Sequence, residues 1–286
     1  MTDIDIGFLQ EWVGKQETCV DDITLFPARA LAAALNSDTL PEKGDDLPLF
    51  WEWMYFLATP RSDETGVDGH PAKGGFLPPV PLPRRMWAAG EVESMRAIVI
   101  GEPATRISTI ESVDLKSGST GTLVFVNVRH EIFQRDELCI SQVQNIVYRE
   151  QPVSNDGPLA LPPGKEAPTE HDVTQVITPD PVLLYRFSAL TYNGHRIHYD
   201  RDYAVAEELY PALVVHGPLL VTLLLQLQRT ALSDRQIKSF KFRAMRPTFD
   251  NQSFDVSAKV DGNALALWSS DADGFICMSI KAELAA

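Results

Sequence analysis

Apolar and polar positions alternate most clearly between residues 84 and 150. RRMWAAGEVESMRAIVI, TRISTIESVDLK, GTLVFVNVRHEIF and ELCISQVQNIVYRE follow one another there. Turns containing Gly, Pro or Ser separate the first three segments, and the charged stretch Gln134–Glu137 separates the last two. Val124, Val126 and Val128 fall on one face, and Ile140, Val143 and Ile146 recur nearby. A period of two between turn signals predicts an antiparallel meander of long strands. Ahead of it, residues 21–37 begin with Asp21, Asp22 and Thr24 and carry Phe26, Ala28, Ala30, Leu31 and Leu35. This predicts a short amphipathic helix with acidic residues near its N-terminus. LPLFWEWMYFL (47–57) reads as core. Residues 58–83, rich in Gly and Pro, read as an extended loop, because Pro neither donates to a ladder nor sits inside a helix.

Residues 151–180 are polar and rich in Pro and read as a linker. Beyond them LLYRFSALT reads as a strand, and GHRIHYDRDYAVAEE as a turn and short helix. GPLLVTLLLQLQRTAL (217–232) reads as an apolar helix with Pro218 in its first turn, where Pro is tolerated. IKSFKFRAM (237–245), QSFDVSAKV, NALALWSSD and GFICMSIKAEL predict four more strands. Each half is a helix plus an antiparallel sheet, an α+β arrangement with units at 1–150 and 181–286. No residue-level repeat joins the two.

Net charge and cysteines narrow the function classes. A net charge of −14 and a pI of about 4.8 argue against a nucleic-acid face, which would be basic. A local Arg/Lys cluster for one anionic ligand remains open. Hydrophobic residues at 44% suffice for two cores without staples. Cys19, Cys139 and Cys277 are odd in number, far apart and without a CxxC spacing, so neither a disulfide framework nor a zinc ribbon is expected. The acidic start MTDIDIGFLQEWVG does not resemble a secretory signal. The longest apolar run, 213–227, is short for a bilayer and contains His and Gly-Pro. A cytoplasmic protein without nucleic-acid or membrane partners is expected.

Candidate chemistry concentrates in TYNGHRIHYD (191–200), where His195 and His198 stand three apart beside Asn193 and Asp200. On residues alone this is a metal site, an acid–base site, or a polar turn whose histidines bond to backbone. The metal reading would take His216 as a third ligand. HExxH is missing, no cysteine pair is near, and Asp200 and Asp202 suffice to cap the helix that follows, so no metal is expected. His70 reads as a turn residue able to approach the other half's pocket, His130 as a strand-surface residue and His171 as a linker residue.

Taken with VVHGPLL, which contains His216-Gly217, and with FKFRAMRPTF, the segment resembles the MaoC-like branch of the hotdog fold. That branch comprises (R)-specific enoyl-CoA hydratases and dehydratases with the motif Asp-x-Asn-Pro-x-His, then His-Gly at the start of a long helix. His198 matches the catalytic His. Asn193 stands where the family has its Asp, and His195 where it has Asn, so the Asp/His dyad is absent from this segment. DGHPAKGGFLPPVPLPRRMWAAG and FVNVRHE with QNIVYRE are similar to double-hotdog hydratases acting on mesaconyl-C4-CoA or itaconyl-CoA. Hydroxyacyl-thioester dehydratases share the SALTYNGHRIHYD-type segment.

The resemblance implies a double hotdog whose first unit completes an acyl or CoA tunnel and whose second carries catalysis. It implies reversible hydration of a 2-enoyl-CoA, with a C5 branched dicarboxylyl thioester as substrate. No cofactor is implied beyond coenzyme A as part of the substrate, and a homodimer is the implied partner state. Alternatives are a 3-hydroxyacyl-thioester dehydratase, a hotdog thioesterase and a non-catalytic acyl-CoA-binding protein. The thioesterase needs a carboxylate on the long helix, and LLVTLLLQLQRT (219–230) has none.

Hydration needs a base for water, a donor for the thioester carbonyl and a proton for the α-carbon. His198 is assigned as the base, Asn193 as the holder of water, and His195 as a second group in the same pocket. The unpaired N–H of Gly217, opening the long helix, is assigned to the carbonyl. Tyr192 and His216 are expected beside the substrate, His216 mainly supporting its turn. Of Arg84 and Arg85, strand alternation allows one to face the pocket and hold a free carboxylate. Lys238, Lys241, Arg243 and Arg246 form the densest basic stretch and are the candidates for the CoA phosphates, with solubility at a strand edge as the competing explanation.

Overall fold

A computed structural model describes residues 4–118, 121–151, 161–232 and 235–285. Its strands are β1 (Gln16–Asp22), β2 (Asp46–Leu47), β3 (Arg84–Ser94), β4 (Ile98–Val99), β5 (Pro103–Gly118), β6 (Gly121–Gln134), β7 (Glu137–Arg149), β8 (Val173–Ile177), β9 (Ile237–Ala244), β10 (Phe254–Asp261), β11 (Ala264–Ser270) and β12 (Ile276–Leu284). The helices are α1 (Ile6–Gln10), α2 (Leu25–Ala34), α3 (Pro181–Leu190), α4 (Arg201–Ala206) and α5 (Gly217–Ala231). Among the described residues no helix is long and apolar enough to cross a membrane.

Ten strands form one antiparallel sheet in the order β1-β5-β6-β7-β3-β9-β12-β11-β10-β8, and β2 pairs with β4. The order contains an internal symmetry. Outward from the β3/β9 seam, each half runs first strand, fourth, third, second, and then a strand that precedes the rest in sequence. The seam is a real ladder, from Ala89 opposite Arg243 to Glu93 opposite Ser239.

The long strands match the alternation. Val124, Val126 and Val128 are all buried on the inner face of β6. That face is covered at one end by α1 and Val80 and Leu82 of the Pro-rich loop, and at the other by α2 and the aromatic segment 50–56. His130, expected on a strand surface, shares this inner face. It hydrogen-bonds Ser108 Oγ through Nδ1 at 2.9 Å, and burial pushes its pKa down to about 3.

Three further expectations need correction. LLYRFSALT is helix α3, not a strand. The Asp180 side chain accepts from Leu183 N at 2.7 Å and Pro181 opens the first turn, which starts a helix efficiently. The predicted linker 151–180 contains β8, which closes the sheet edge against β10; residues 152–160 lie outside the described residues. The acidic residues expected at the start of the 21–37 helix belong to β1, and α2 begins only at Leu25. Mostly polar β1 itself carries no clear alternation.

Helix α5 is about 22 Å long at 1.5 Å per residue. It lies in the second half against β10, β11 and β12 and is buried along most of its length. Phe50 of the first half packs against Phe240 and Phe242 of β9 at 6.0 and 6.1 Å, so one apolar core bridges the seam.

Candidate active site

The segment after α3 folds through local hydrogen bonds. Tyr192 takes a left-handed φ of 48°, and Asn193 N donates to Ser188 O. Asn193 Oδ1 then accepts from His195 N at 3.0 Å, an Asx turn that aims both histidines at the cavity. Asp200 caps α4 by accepting from Tyr203 N at 3.0 Å and also holds Arg196, as its position ahead of the helix suggests.

His198 is buried, with Nδ1 2.6 Å from Val214 O. A carbonyl only accepts, so Nδ1 carries the proton and Nε2 is the free lone pair. Burial pushes its pKa down to about 4. His216 stacks on it at 3.7 Å, and its Nε2 is 2.8 Å from Ser188 Oγ. That arrangement fits a supporting role. The ring of His195 meets His198 edge-on at 5.4 Å; burial, then the neighbouring His70, holds it well below the usual histidine range.

These groups line a cavity of about 910 Å³ between the halves. The second half contributes Tyr192, Asn193, His195, His198 and Gly217; the first contributes Trp53, Arg85, Gln144 and Ile146. Gly217 is required by close approach: a Cβ there would sit 2.8 Å from the Trp87 ring. Tyr185, Tyr192, Tyr199 and Met245 are exposed where they meet the cavity and form its rim.

Both Arg84 and Arg85 reach the wall, although strand alternation predicted one. Arg84 is the first residue of β3, at the strand end, where the wall is not a flat sheet face. Its guanidinium is committed elsewhere: it pairs with Glu208 Oε2 at 2.6 Å, donates to Gln151 Oε1 at 2.9 Å and lies over Tyr210. Among the described residues Arg85 forms no ion pair, and its charge acts on His70 and Tyr148.

The basic stretch does not converge on this cavity. Phe240 and Phe242 take the inward positions of β9, which leaves Lys241 and Arg243 exposed; the register shift at the start of β9 buries Ile237 and leaves Lys238 exposed too, and all three basic residues lie outside the lining. Lys241 sits 2.8 Å from Glu91, and Lys238 3.8 Å from Glu283. Arg246 does line the cavity, but it pairs with Asp271 at 2.7 Å and stacks on Phe275.

A family model for hydroxyacyl-thioester dehydratase type 2 matches residues 50–250. The chain belongs to this family. It is 44% identical over 276 residues to a mesaconyl-C(4)-CoA hydratase of Chloroflexus aurantiacus, covering 96% of each chain. It is 28% identical over 256 residues to the mitochondrial hydroxyacyl-thioester dehydratase type 2 of Schizosaccharomyces pombe, covering 80% of this chain and 82% of that one. The fold matches a MaoC-like dehydratase from Phytophthora capsici with a TM-score of 0.68 at 12% identity, over 99% of this chain and 98% of that one. The fold is therefore a double hotdog, and this dehydratase-family member is a hydro-lyase.

Sequence reasoning missed two things about the family member's site. The first is Asp68, which lines the cavity together with His70. The second concerns metal ligation. In the imagined trio of His195, His198 and His216, one nitrogen of His198 is engaged by Val214 O and one of His216 by Ser188, and these two rings stack on each other. Donor atoms of Asp68, His70 and His195 instead lie within 4.8 Å of one another, close enough to offer three ligands. Asp68 and His70 already bond each other there, Oδ2 to Nδ1 at 3.0 Å, as an acid–base pair would.

Proposed function

We propose that the protein hydrates, reversibly, a short 2-enoyl-CoA bearing a second, free carboxylate, of the mesaconyl-C4 or itaconyl type. Arg85 carries this reading. It is a guanidinium on the cavity wall, with no carboxylate partner among the described residues, in the same cavity as the histidine cluster. Arg85 is half-buried and without an ion-pair partner among the described residues, and a substrate carboxylate would engage it through two parallel hydrogen bonds. The 44% identity to the mesaconyl-C(4)-CoA hydratase supports the same substrate class.

In this reading the thioester lies with its carbonyl against the Gly217 N–H, which donates to no acceptor among the described residues. As water adds to the β-carbon, enolate charge on the carbonyl oxygen meets that N–H and the positive end of α5. Nε2 of His198 holds the water. Asn193 shapes the turn through Oδ1 and retains only its amide NH₂ for the water. The aromatic rim of Tyr185, Tyr192 and Tyr199 borders the pantetheine arm. Coenzyme A enters as part of the substrate, and no step calls on a metal or redox centre. The three unpaired cysteines suit a reducing cytoplasm.

The test is loss of enoyl-thioester absorbance with mesaconyl-C4-, itaconyl- and crotonyl-CoA. Turnover of at least one dicarboxylyl thioester faster than crotonyl-CoA is expected. Preference for a plain 3-hydroxyacyl or 2-enoyl thioester would favour the dehydratase alternative, and no turnover of any would sink the hydratase reading.

A further inference from the structure

The hydratase reading leaves one chemical gap. Addition of water requires a base; a histidine base becomes an imidazolium when it takes the proton, and a buried imidazolium is costly without a carboxylate beside it. His198 has no such neighbour: its Nδ1 donates to a backbone carbonyl. The turn 193–198 contains no carboxylate at all.

Among the described residues the cavity wall contains two carboxylates, Asp68 and Glu208. Glu208 is neutralised by Arg84 at 2.6 Å. Asp68 is held instead against a histidine. Its Oδ1 accepts from His70 N and its Oδ2 faces His70 Nδ1, both at 3.0 Å. Nδ1 is therefore the protonated nitrogen of His70, and Nε2 is the free lone pair. The His70 ring lies 4.1 Å from that of His195, which in turn meets His198.

The loop is fastened there by specific contacts across the two halves. Arg196 N donates to Asp68 O at 2.9 Å, and Arg196 Nη1 to Val67 O at 3.1 Å. Gly69, at φ +86°, rests on Gly194 so closely that a Cβ would fall 1.9 Å from Gly194 O. Only glycine permits that approach.

We propose that Asp68 and His70, supplied by the first half, form the acid–base pair of this active site, replacing the carboxylate that the turn 193–198 lacks. The inference rests on the hydratase reading. His70 Nε2 takes one proton from the water held by His198 as the water oxygen bonds to the β-carbon. The C=C electron pair moves to the α-carbon and thioester as enolate. The α-carbon then takes that proton back from His70, so H and OH are added and the enzyme returns to its starting state. His70 is the catalytic residue, and Asp68 is a positioning residue that fixes its tautomer and balances the imidazolium. Arg85 and Lys73, both cationic, disfavour the His70 imidazolium, and the neighbouring His195 and His198 would do so if protonated, which makes the carboxylate necessary.

The experiment compares wild type with Asp68→Asn, His70→Gln and His70→Ala on the preferred enoyl-CoA. Glutamine keeps a polar partner for Asp68, which preserves the loop if alanine unseats it. His70→Gln and Asp68→Asn are expected to lower kcat by at least about 100-fold, with KM and melting temperature little changed. Added imidazole should restore His70→Ala at least about tenfold, and Asp68→Asn should move the acid limb of kcat/KM. A purely structural loop would show neither rescue nor a shifted limb. Rates within threefold of wild type in both His70 variants would overturn the pair while leaving the hydratase reading intact. Wild type inactive on every thioester would overturn both.

Discussion

The two halves share one strand order and differ in what fills it. In the second half the fifteen-residue α5 occupies the concave face and is buried on nearly every side. In the first, α2 has ten residues, and the remaining cover comes from the five-residue α1, an aromatic turn and the Pro-rich loop. A helix satisfies its own backbone and excludes water; a loop leaves space and carries side chains into it. The cavity opens where the loop stands in for helix, so the half without the long helix lines the pocket with Trp53, Arg85, His70 and Asp68. On the proposed mechanism the duplicated architecture divides the labour: one half supplies the helix terminus and the histidine turn, and the other would supply the charges that read substrate and balance the proton.

The largest test of this division is in the second half. His198→Ala should reduce kcat/KM by about 10³-fold with the fold retained. Wild-type rates in that variant would remove the turn from the chemistry. Next comes the seam. Phe240→Ala should destabilise by about 3–5 kcal/mol, because the ring is buried and packs against Phe50 across the halves. Two separate melting transitions in the variant would show that the seam alone couples the halves.

Acid is a smaller perturbation. The folded pKa of His198 lies near 4, below its unfolded value near 6.5, so between these values the unfolded state binds the extra proton. Its contribution is therefore intact above pH 6.5 and is lost as pH falls toward 4, about 2 kcal/mol at pH 5. Denaturant unfolding of wild type and His198→Gln at pH 7 and pH 5 separates it from the other buried histidines, and an equal loss in both proteins would contradict the assigned burial. The smallest effect is expected at Lys241→Ala. This side chain is exposed, pairs with Glu91 and lies outside the cavity, so stability should shift by no more than about 0.5 kcal/mol and KM should not move. A raised KM would return the basic stretch to the CoA site.

Much of the architecture was legible because a period of two survives in the long strands, most clearly in β6. The apolar run of α3 is too short for periodicity to decide between helix and strand. Its Asp180-Pro181 start carried the better signal. The composition that marks 151–180 as linker hides β8, which is a strand because β10 offers it an edge. The histidine turn could be read from its motif, since its hydrogen bonds are local. Asp68 could not. The role proposed for it depends on Gly69 meeting Gly194, a contact between residues 125 apart in the chain. Nothing in DGHP alone reveals where that loop docks. Arg84 and Arg85 were a pair that sequence could not separate; the ion pair to Glu208 did so.

In the proposed mechanism one active site, assembled from both halves, hydrates an enoyl thioester with a free carboxylate. The most direct measurement is the ratio of kcat/KM for mesaconyl-C4-CoA to that for crotonyl-CoA, in wild type and in Arg85→Gln. The account predicts that the wild-type preference falls at least about tenfold in the variant, through loss on the dicarboxylyl substrate with crotonyl-CoA little affected. An unchanged ratio would contradict it.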